Sequence, residues 1–230
     1  MLFRSMNVPA GRYKIYAHAP YGNAKLANSD AIGTVTIAAD GSVTLADAAL
    51  SDSRTATSFV LRLNGPYWSG TLTASNGTTL LRDSRACLYV VIANTGIWNC
   101  AYTDLNGAWA MSKPTGFTEF DANSRLEIAS NIPTSDAMQV VNGIAIDSVL
   151  NKNGGTNIPL KLQSPNTVIQ VVDKDNLPAS NLWVSLDRPN VGWLGGAVTD
   201  ANGNANFHID LSLGFNIRVE TSNNPIYSGS

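Results

Sequence analysis

A seven-residue motif, Ala-x-Thr-Asp-x-Asn-Gly, occurs twice in this chain and constrains its fold more than any other feature. It reads AYTDLNG at 101–107 and AVTDANG at 197–203, so that its two aspartates lie 96 positions apart. The aspartate of such a motif accepts hydrogen bonds from nearby backbone amides, and Asn and Gly tolerate positive φ. Each copy therefore predicts a tight turn between two antiparallel strands.

The same motif has a second interpretation as a calcium loop. Asp104 and Asn106 in the first copy, and Asp200 and Asn202 in the second, offer side-chain oxygens at alternate positions. Calcium requires about 6–8 oxygen ligands, often with a bidentate carboxylate, and neither copy supplies such a carboxylate close by. The turn is therefore the favoured interpretation, and we expect neither a metal nor a cofactor.

Other segments repeat around the motif in the same order. FVLRLNGP at 59–66 matches IPLKLQSP at 158–165, ACLYVVIAN at 86–94 matches NLWVSLDRP at 181–189, and a tryptophan precedes each turn. YKIYAHAP at 13–20 similarly matches LEIASNIP at 126–133. Recurrence of several segments in the same order predicts tandem units.

The repeats divide the chain into three predicted units. Residues 1–57 form the C-terminal part of a truncated unit, 58–157 a complete unit, and 158–230 a third unit that lacks its last strands. Residues 1–5, Met-Leu-Phe-Arg-Ser, resemble the translation of a sequencing-adapter tail. We therefore expect a metagenomic fragment of a longer array, with a foreign N-terminus.

Each unit is predicted to be all-β. Apolar and polar residues alternate in Tyr13–Ala17, Thr34–Ile37, Phe59–Leu63 and Phe215–Val219, which is the period of a half-buried strand. Turn signals such as ADG, SNG, LNG and ANG separate these runs, and only 14% of the residues are charged. Short strands with Gly and Pro at the turns predict antiparallel β-sandwich modules.

The two cysteines, Cys87 and Cys100, have the turn-like sequence ANTG near their midpoint. This arrangement places them on adjacent antiparallel strands, where a cross-strand disulfide has suitable geometry. The sequence leaves open whether they form a disulfide or stay as two buried thiols. A disulfide would indicate an oxidising compartment.

The segment 168–220, from VIQVVDKDNLP through GWLGGAVTDANGNANFHID to FNIRVE, resembles the carboxypeptidase regulatory-like repeats. GRYKIYAHAPYGN at 11–23 resembles the closing strand of the same module. These repeats are transthyretin-like sandwiches and are similar to the collagen-adhesin B-type repeats of bacterial surface proteins. The resemblance implies tandem Ig-like/transthyretin-like antiparallel β-sandwich modules, and an extracellular or cell-surface location.

Catalytic constellations are not evident in the sequence. The two histidines, His18 and His208, fall in different units, so neither unit contains a histidine pair for metal binding or catalysis. Glu119, Asp121 and Glu127 are the carboxylates closest to a glycosidase pattern, but the third unit has no equivalent pair. We expect these carboxylates to lie on a solvated face, and the chain not to be an enzyme.

Aromatic residues are the candidates for a binding site. Tyr67 and Trp68 are adjacent and must point to opposite faces of a strand, while Trp98 and Trp193 precede the two turns at similar positions. Three interpretations stay open: core or ordinary surface, packing between units, and a platform for a ligand. The last interpretation requires Trp98 and Trp193 to be exposed at equivalent positions.

The predicted function is that of a non-catalytic extracellular spacer in a multi-repeat surface or secreted bacterial protein. The alternative is a module for adhesion to carbohydrate or protein, which could accompany a secreted hydrolase. The predicted partners are neighbouring repeats of the same chain and, in the alternative, a polysaccharide or a surface protein. A net charge of −2 and the lack of a long apolar run argue against nucleic acid and membrane insertion.

Overall fold

The computed structural model describes residues 9–15, 33–40, 42–45, 54–55, 58–59, 65–189, 191–210 and 214–220. These residues form an all-β sandwich fold with one short α-helix, as the alternation predicted. The strands are β1 Gly11–Ile15, β2 Gly33–Ile37, β3 Val43–Leu45, β4 Arg54–Thr55, β5 Ser58–Phe59, β6 Trp68–Thr73, β7 Ser84–Ile92, β8 Thr95–Tyr102, β9 Ala108–Met111, β10 Arg125–Ser130, β11 Met138–Asn142, β12 Gly155–Lys161, β13 Thr167–Gln170, β14 Trp183–Arg188, β15 Gly192–Val198, β16 Asn204–His208 and β17 Asn216–Glu220. A 3-10 helix, Gly143–Ile146, leads into α1, Asp147–Leu150.

Three sheets make up the well-packed part of the molecule. The middle sheet has six strands in the order β13-β16-β11-β10-β7-β8. The first outer sheet has the order β12-β6-β9, and the second outer sheet has the order β15-β14-β17. A separate sheet, β1-β2-β3, and the pair β4-β5 precede them in the chain.

Most strand pairs are antiparallel, but two are parallel, which the sequence did not predict. Strand β12 runs parallel to β6, and β11 runs parallel to β16. Neither pair is made of consecutive strands, and parallel neighbours need a long connection between them. Both parallel pairs therefore tie together segments that are distant in the sequence.

The hairpin β7–β8 shows how local sequence sets strand register. Ile92 pairs with Thr95, so that Ala93 and Asn94 alone form the turn, with φ of 48° and 62°. Two consecutive positive φ angles are typical of a type I′ turn, whose twist matches that of the strands it joins. The turn lies within the ANTG segment that predicted it.

The first core lies between the first outer sheet and one half of the middle sheet. Trp68 and Trp109 are its largest side chains, and both are fully buried. Leu126 and Ile128 of β10 pack there against Leu160 of β12. Full burial of such side chains stabilises a fold by about 1.5–3 kcal/mol each.

The second core lies between the opposite face of the middle sheet and the second outer sheet. Phe207 of β16, Met138 of β11 and Val184 of β14 are buried in it. Ala129 of β10 belongs to this second core, whereas its neighbour Ile128 belongs to the first. Because successive side chains of a strand point to opposite faces, β10 is covered on both sides and the two sandwiches share one sheet.

The predicted boundary at 157/158 falls inside strand β12. Leu160 and Leu162, which follow that boundary, are 1% and 0% exposed and pack in the first core. The segment expected to begin the third unit therefore completes the sandwich of the second. Its counterpart at 59–66 lies mostly outside the described residues, as do residues 1–5.

Candidate functional site

The two Asp-x-Asn-Gly segments form turns with the same hydrogen bonds. The Asp104 Oδ1 accepts from the backbone N–H of Asn106 and Ala108, at 2.8 and 2.9 Å. The Asp200 Oδ1 accepts in the same way from Asn202 and Asn204, at 2.8 and 2.9 Å. These bonds match those of the predicted tight turns.

The same oxygens are those that the calcium interpretation would use. Each Oδ1 already accepts two amide hydrogen bonds, which compete with a cation for its lone pairs. Within the described ranges, no cluster of three or more His, Cys, Asp or Glu residues is placed to hold a metal ion. The geometry of Asp104 and Asn106, and of Asp200 and Asn202, is fully accounted for by the turn.

Cys87 and Cys100 form a disulfide between β7 and β8. The two residues are directly opposite in the register of the hairpin, with 4.0 Å between their Cα atoms. Of the two alternatives that the sequence left open, the structure contains the disulfide. The cysteines are 13 positions apart, so the disulfide closes a short loop.

The carboxylates that were expected on a solvated face do not share one environment. Glu119 is exposed in the segment between β9 and β10 rather than on a strand. Burial would raise the pKa of Asp121, but hydrogen bonds from the Ser124 hydroxyl and the Asn123 amide outweigh burial and lower it.

The expectation was wrong for Glu127, which is 0% exposed. It points from β10 towards the second outer sheet and forms an ion pair with Arg85 of β7, with 2.6 Å between Arg85 Nη2 and Glu127 Oε1. The pair is buried because the second outer sheet covers this face. Arg85 also donates to the side-chain oxygen of Asn131.

This ion pair meets the free edge of strand β15. The Gly196 N–H donates to Glu127 Oε1 at 3.1 Å, and Arg85 Nη2 donates to the Gly196 carbonyl at 2.9 Å. An edge strand presents unpaired N–H and C=O groups that must find partners when buried. Here two charged side chains provide the donor and the acceptor that a neighbouring strand would provide.

Arg125 extends this arrangement along β15. Its Nη1 donates to the carbonyls of Val191 and Trp193, at 3.1 and 2.9 Å. We define the junction as the contacts of Arg85, Arg125 and Glu127 with β15 and with Val191, which precedes it. The junction joins the two sandwiches through hydrogen bonds as well as through the second core.

Glycine at two positions of β15 allows this close approach. A Cβ on Gly195 would lie 2.7 Å from Glu127 Oε1. A Cβ on Gly196 would lie 2.4 Å from Cζ2 of Trp183, whose ring also lies 4.6 Å from the Arg85 guanidinium. Any larger residue would push β15 away from its partners.

Trp98 and Trp193, the proposed binding residues, lie together beside the junction. Their ring centroids are 5.1 Å apart in an edge-to-face arrangement. Trp98 pairs with Tyr89 in the hairpin β7–β8, six residues before Asp104, and Trp193 pairs with Asp187 in the hairpin β14–β15, seven residues before Asp200. Trp98 is 39% exposed and Trp193 is half-buried, so the two indoles form one partly exposed patch between the sandwiches.

Tyr67 and Trp68 are not a second patch of this kind. Trp68 is 0% exposed, and its indole N–H donates to the Asn151 carbonyl at 2.7 Å. A ligand at the surface cannot reach it, which corrects its assignment as a binding residue. Tyr67 is half-buried, and its hydroxyl donates to the Lys152 carbonyl at 3.0 Å.

A groove of about 440 Å³ opens next to the tryptophan pair. Arg125 lies in it beneath Tyr89, with 4.4 Å between the guanidinium and the tyrosine ring. Burial lowers the pKa of Arg125 from its ordinary value, and its Nε has no hydrogen-bond partner in the described part of the chain. The remaining lining residues combine a second arginine with amide and apolar side chains: Val91, Ala122, Asn123, Asn142, Arg188 and Val191.

Sequence reasoning missed Arg85 and Arg125, the central residues of the junction. Both are the second residue of a Ser-Arg pair at the start of a largely apolar strand, in SRACLYVV and SRLEIAS. A charge within an apolar run is costly to bury without a partner. This pattern was the available signal that each arginine has a specific partner.

Of the two histidines, His208 is exposed and its Nδ1 lies 2.9 Å from the Ser164 carbonyl, while His18 lies outside the described residues.

Among the described residues, no helix has the length and apolar character that crossing a membrane requires.

Comparisons with protein-family models, with curated proteins and with solved structures returned no match for this chain.

Proposed function

We propose that the chain is a non-catalytic spacer from a multi-repeat bacterial surface or secreted protein. The observation that carries this proposal is the junction, in which Arg85, Glu127 and Arg125 hold the edge of β15. The resemblance of 168–220 to the carboxypeptidase regulatory-like repeats supports the same role. Its partners are then the neighbouring repeats of the same chain.

A spacer keeps its two ends a fixed distance apart only if its modules do not move freely relative to each other. Modules joined by a flexible link move relative to each other unless their interface is large and well packed. Here a shared sheet, a second core and a buried ion pair all connect the two sandwiches. This arrangement favours a rigid rod over a string of independent units.

Distance measurements between spin labels test this rigidity. Labels attached through Thr78→Cys and Asp175→Cys would report across the junction, because both positions are exposed and lie in turns of different sandwiches. We expect one narrow distance distribution, which broadens when Glu127→Gln is added. A broad distribution in the chain without Glu127→Gln would contradict the spacer proposal.

The second candidate function is binding of a carbohydrate, and the partly exposed Trp98 beside the arginine-lined groove favours it. Indole and phenol rings offer apolar faces to sugar rings, and amide and guanidinium groups donate to hydroxyl or carboxylate oxygens. Such a module could accompany a secreted hydrolase or bind a surface protein through the same patch.

Native affinity gels with a set of neutral and uronate polysaccharides test this candidate. Retardation that Trp98→Ala abolishes would support a carbohydrate-binding role. The matched control is Leu105→Ala, because Leu105 is 80% exposed and lies in the turn between β8 and β9. Equal mobility of the unsubstituted protein, Trp98→Ala and Leu105→Ala on every glycan would eliminate this candidate. The spacer role would then be the remaining proposal.

A further inference from the structure

Strand β13 is at the edge of its sheet in the described residues, although its counterpart in the first sandwich is central. The two strands correspond because they make the same hydrogen bonds to the two turns. The Leu72 N–H donates to the Gly107 carbonyl at 2.8 Å, and the Val171 N–H donates to the Gly203 carbonyl at 2.8 Å. Strand β6 has β9 on one side and β12 on the other, whereas among the described strands β13 has only β16 as a neighbour.

In the first sandwich, β12 also covers the core. Leu160 and Leu162 of this segment pack in the first core, together with Leu126 and Ile128 of β10. Leu126 and Ile128 are 0% and 2% exposed. The strand from the following unit thus both extends the sheet and closes one side of the sandwich.

The same side of the second sandwich is open among the described residues. Ile217 and Val219 of β17 lie directly opposite Leu186 and Val184, which are buried in the second core. Residues directly opposite in an antiparallel pair share one face of the sheet, so Ile217 and Val219 face the core side. They are nevertheless 51% and 39% exposed.

We propose that the free edge of β13 accepts a parallel strand of the β12 type, donated by a following unit, which covers Ile217 and Val219. This inference rests on the proposed role in an array of repeats. The donor pattern, apolar-x-Leu-basic-Leu, occurs in this chain at 59–63 and 158–162. In the second occurrence the structure contains the donated strand, because β12 pairs with β6.

The edge of β13 differs from that of β6 at one position. This difference restricts the backbone path that a donated strand can take. A Cβ on Gly70 would lie 1.8 Å from the Ile158 carbonyl oxygen, where β12 has an irregular register between Gly155 and Ile158. The position equivalent to Gly70 is Ile169, two residues before Val171. The donor for β13 must therefore follow a different backbone path where β12 has Ile158, because the N and C atoms of Ile158 would also lie 2.6 Å from that Cβ.

A fluorescent peptide of residues 159–165, PLKLQSP, which omits Ile158, tests the proposal with the full chain. We expect saturable binding in an anisotropy titration and slower amide hydrogen exchange at β13. A peptide with Leu160→Asp and Leu162→Asp should bind at least about tenfold more weakly, because both leucines would enter an apolar site. Absence of saturable binding, or slower exchange at another strand only, would overturn the proposal.

Two variants of the chain locate the site. Ile217→Ser should weaken peptide binding at least about fivefold, because it removes apolar surface from the acceptor face. Val168→Ser should leave binding unchanged, since Val168 is 53% exposed and alternates with the inward-facing Ile169. Equal binding by both variants would place the peptide elsewhere and overturn the proposal.

The spin-label distances distinguish this proposal from the proposed function. A narrow distance distribution together with no binding of the peptide would overturn only the proposal that β13 accepts a strand. Peptide binding with a broad distribution would support the acceptor and contradict the rigid spacer.

Discussion

At the scale of single residues, the junction depends on three charged side chains that the sequence places in apolar strands. The ion pair of Arg85 and Glu127 is desolvated on both sides, and its remaining hydrogen-bonding capacity is taken up by Gly196 and Asn131. A buried pair of this kind adds little compared with apolar residues, but loss of one partner leaves an unpaired buried charge. The main effect of the ion pair is therefore to favour one arrangement of the two sandwiches over others.

This reasoning predicts that Glu127→Gln lowers the free energy of unfolding by about 3–5 kcal/mol, because the Arg85 charge stays buried without its partner. The measurement is a urea unfolding curve of the two proteins. The matched control is Arg218→Gln, because the Arg218 side chain of β17 is 66% exposed and pairs with Asp187 at 3.4 Å. We expect a change below about 1 kcal/mol for that control; a similar loss for both variants would refute the role of burial.

Local and distant contacts differ in how far the sequence predicts them. The turns at Asp104 and Asp200 were predicted because their hydrogen bonds join residues two and four positions apart. The pairing of Arg85 with Glu127 was not predicted, since the partners lie 42 positions apart and only the strand order brings them together. For the same reason the sequence suggested Trp98 and Trp193 as separate anchors, whereas the structure packs them against each other.

At the scale of elements, β15 is the edge strand of its sheet: β14 pairs with one side of it, and no described strand pairs with the other. Charges or prolines of its own are one means by which an edge strand is kept from aggregation. Strand β15 instead consists largely of small and apolar residues, GWLGGAV, and the charges come from β7 and β10. The glycines allow those side chains to reach the backbone of β15.

Gly196→Ala is therefore predicted to lower the free energy of unfolding by about 1–3 kcal/mol, which is typical of an overpacked site. The added methyl group would collide with the ring of Trp183, against which the Arg85 guanidinium also lies. Gly214→Ala is the control, because no atom lies within 4 Å of its added Cβ. Thermal unfolding of both variants provides the measurement, and equal melting temperatures would contradict the prediction.

The disulfide belongs to the same scale, because it fixes the hairpin β7–β8 on which the junction is built. Closing a loop of this length stabilises a protein by about 3 kcal/mol, mainly by restricting the unfolded chain. We predict a lower melting temperature for Cys87→Ala/Cys100→Ala than for the oxidised protein. Addition of a reductant should lower the melting temperature of the unsubstituted protein and leave that of the double variant unchanged; any other pattern would indicate that the disulfide contributes little.

At the scale of the whole molecule, two sandwiches share the middle sheet. The all-β class and individual strands such as β2 and β17 could be predicted, because alternation and turn residues are local signals. That the two sandwiches share this sheet could not be predicted. Strand β10 carries apolar residues on its first-core face and small or charged residues on its other face, which is the pattern of a strand with one buried face. The boundary at 157/158 followed from the sequence repeat, which gives no information about the sandwich that a strand joins.

A comparison of two fragments tests the placement of β12. The fragment 65–163 contains the strand, and the fragment 65–157 ends at the boundary that the sequence repeat suggests. Loss of the buried Leu160 and Leu162 should make 65–157 less stable by about 3–6 kcal/mol. Circular dichroism melts would show this difference, and equal stability of the two fragments would contradict the structural assignment.

The position of β12 has a consequence for how such a chain could change its length. The first sandwich takes strand β12 from beyond the boundary at 157/158 that the sequence repeat suggests. In the proposed array, a duplication or deletion of one whole period would keep every donor next to an acceptor. A deletion of any other length would leave one sandwich open, so changes in the length of the proposed array would be restricted to whole periods.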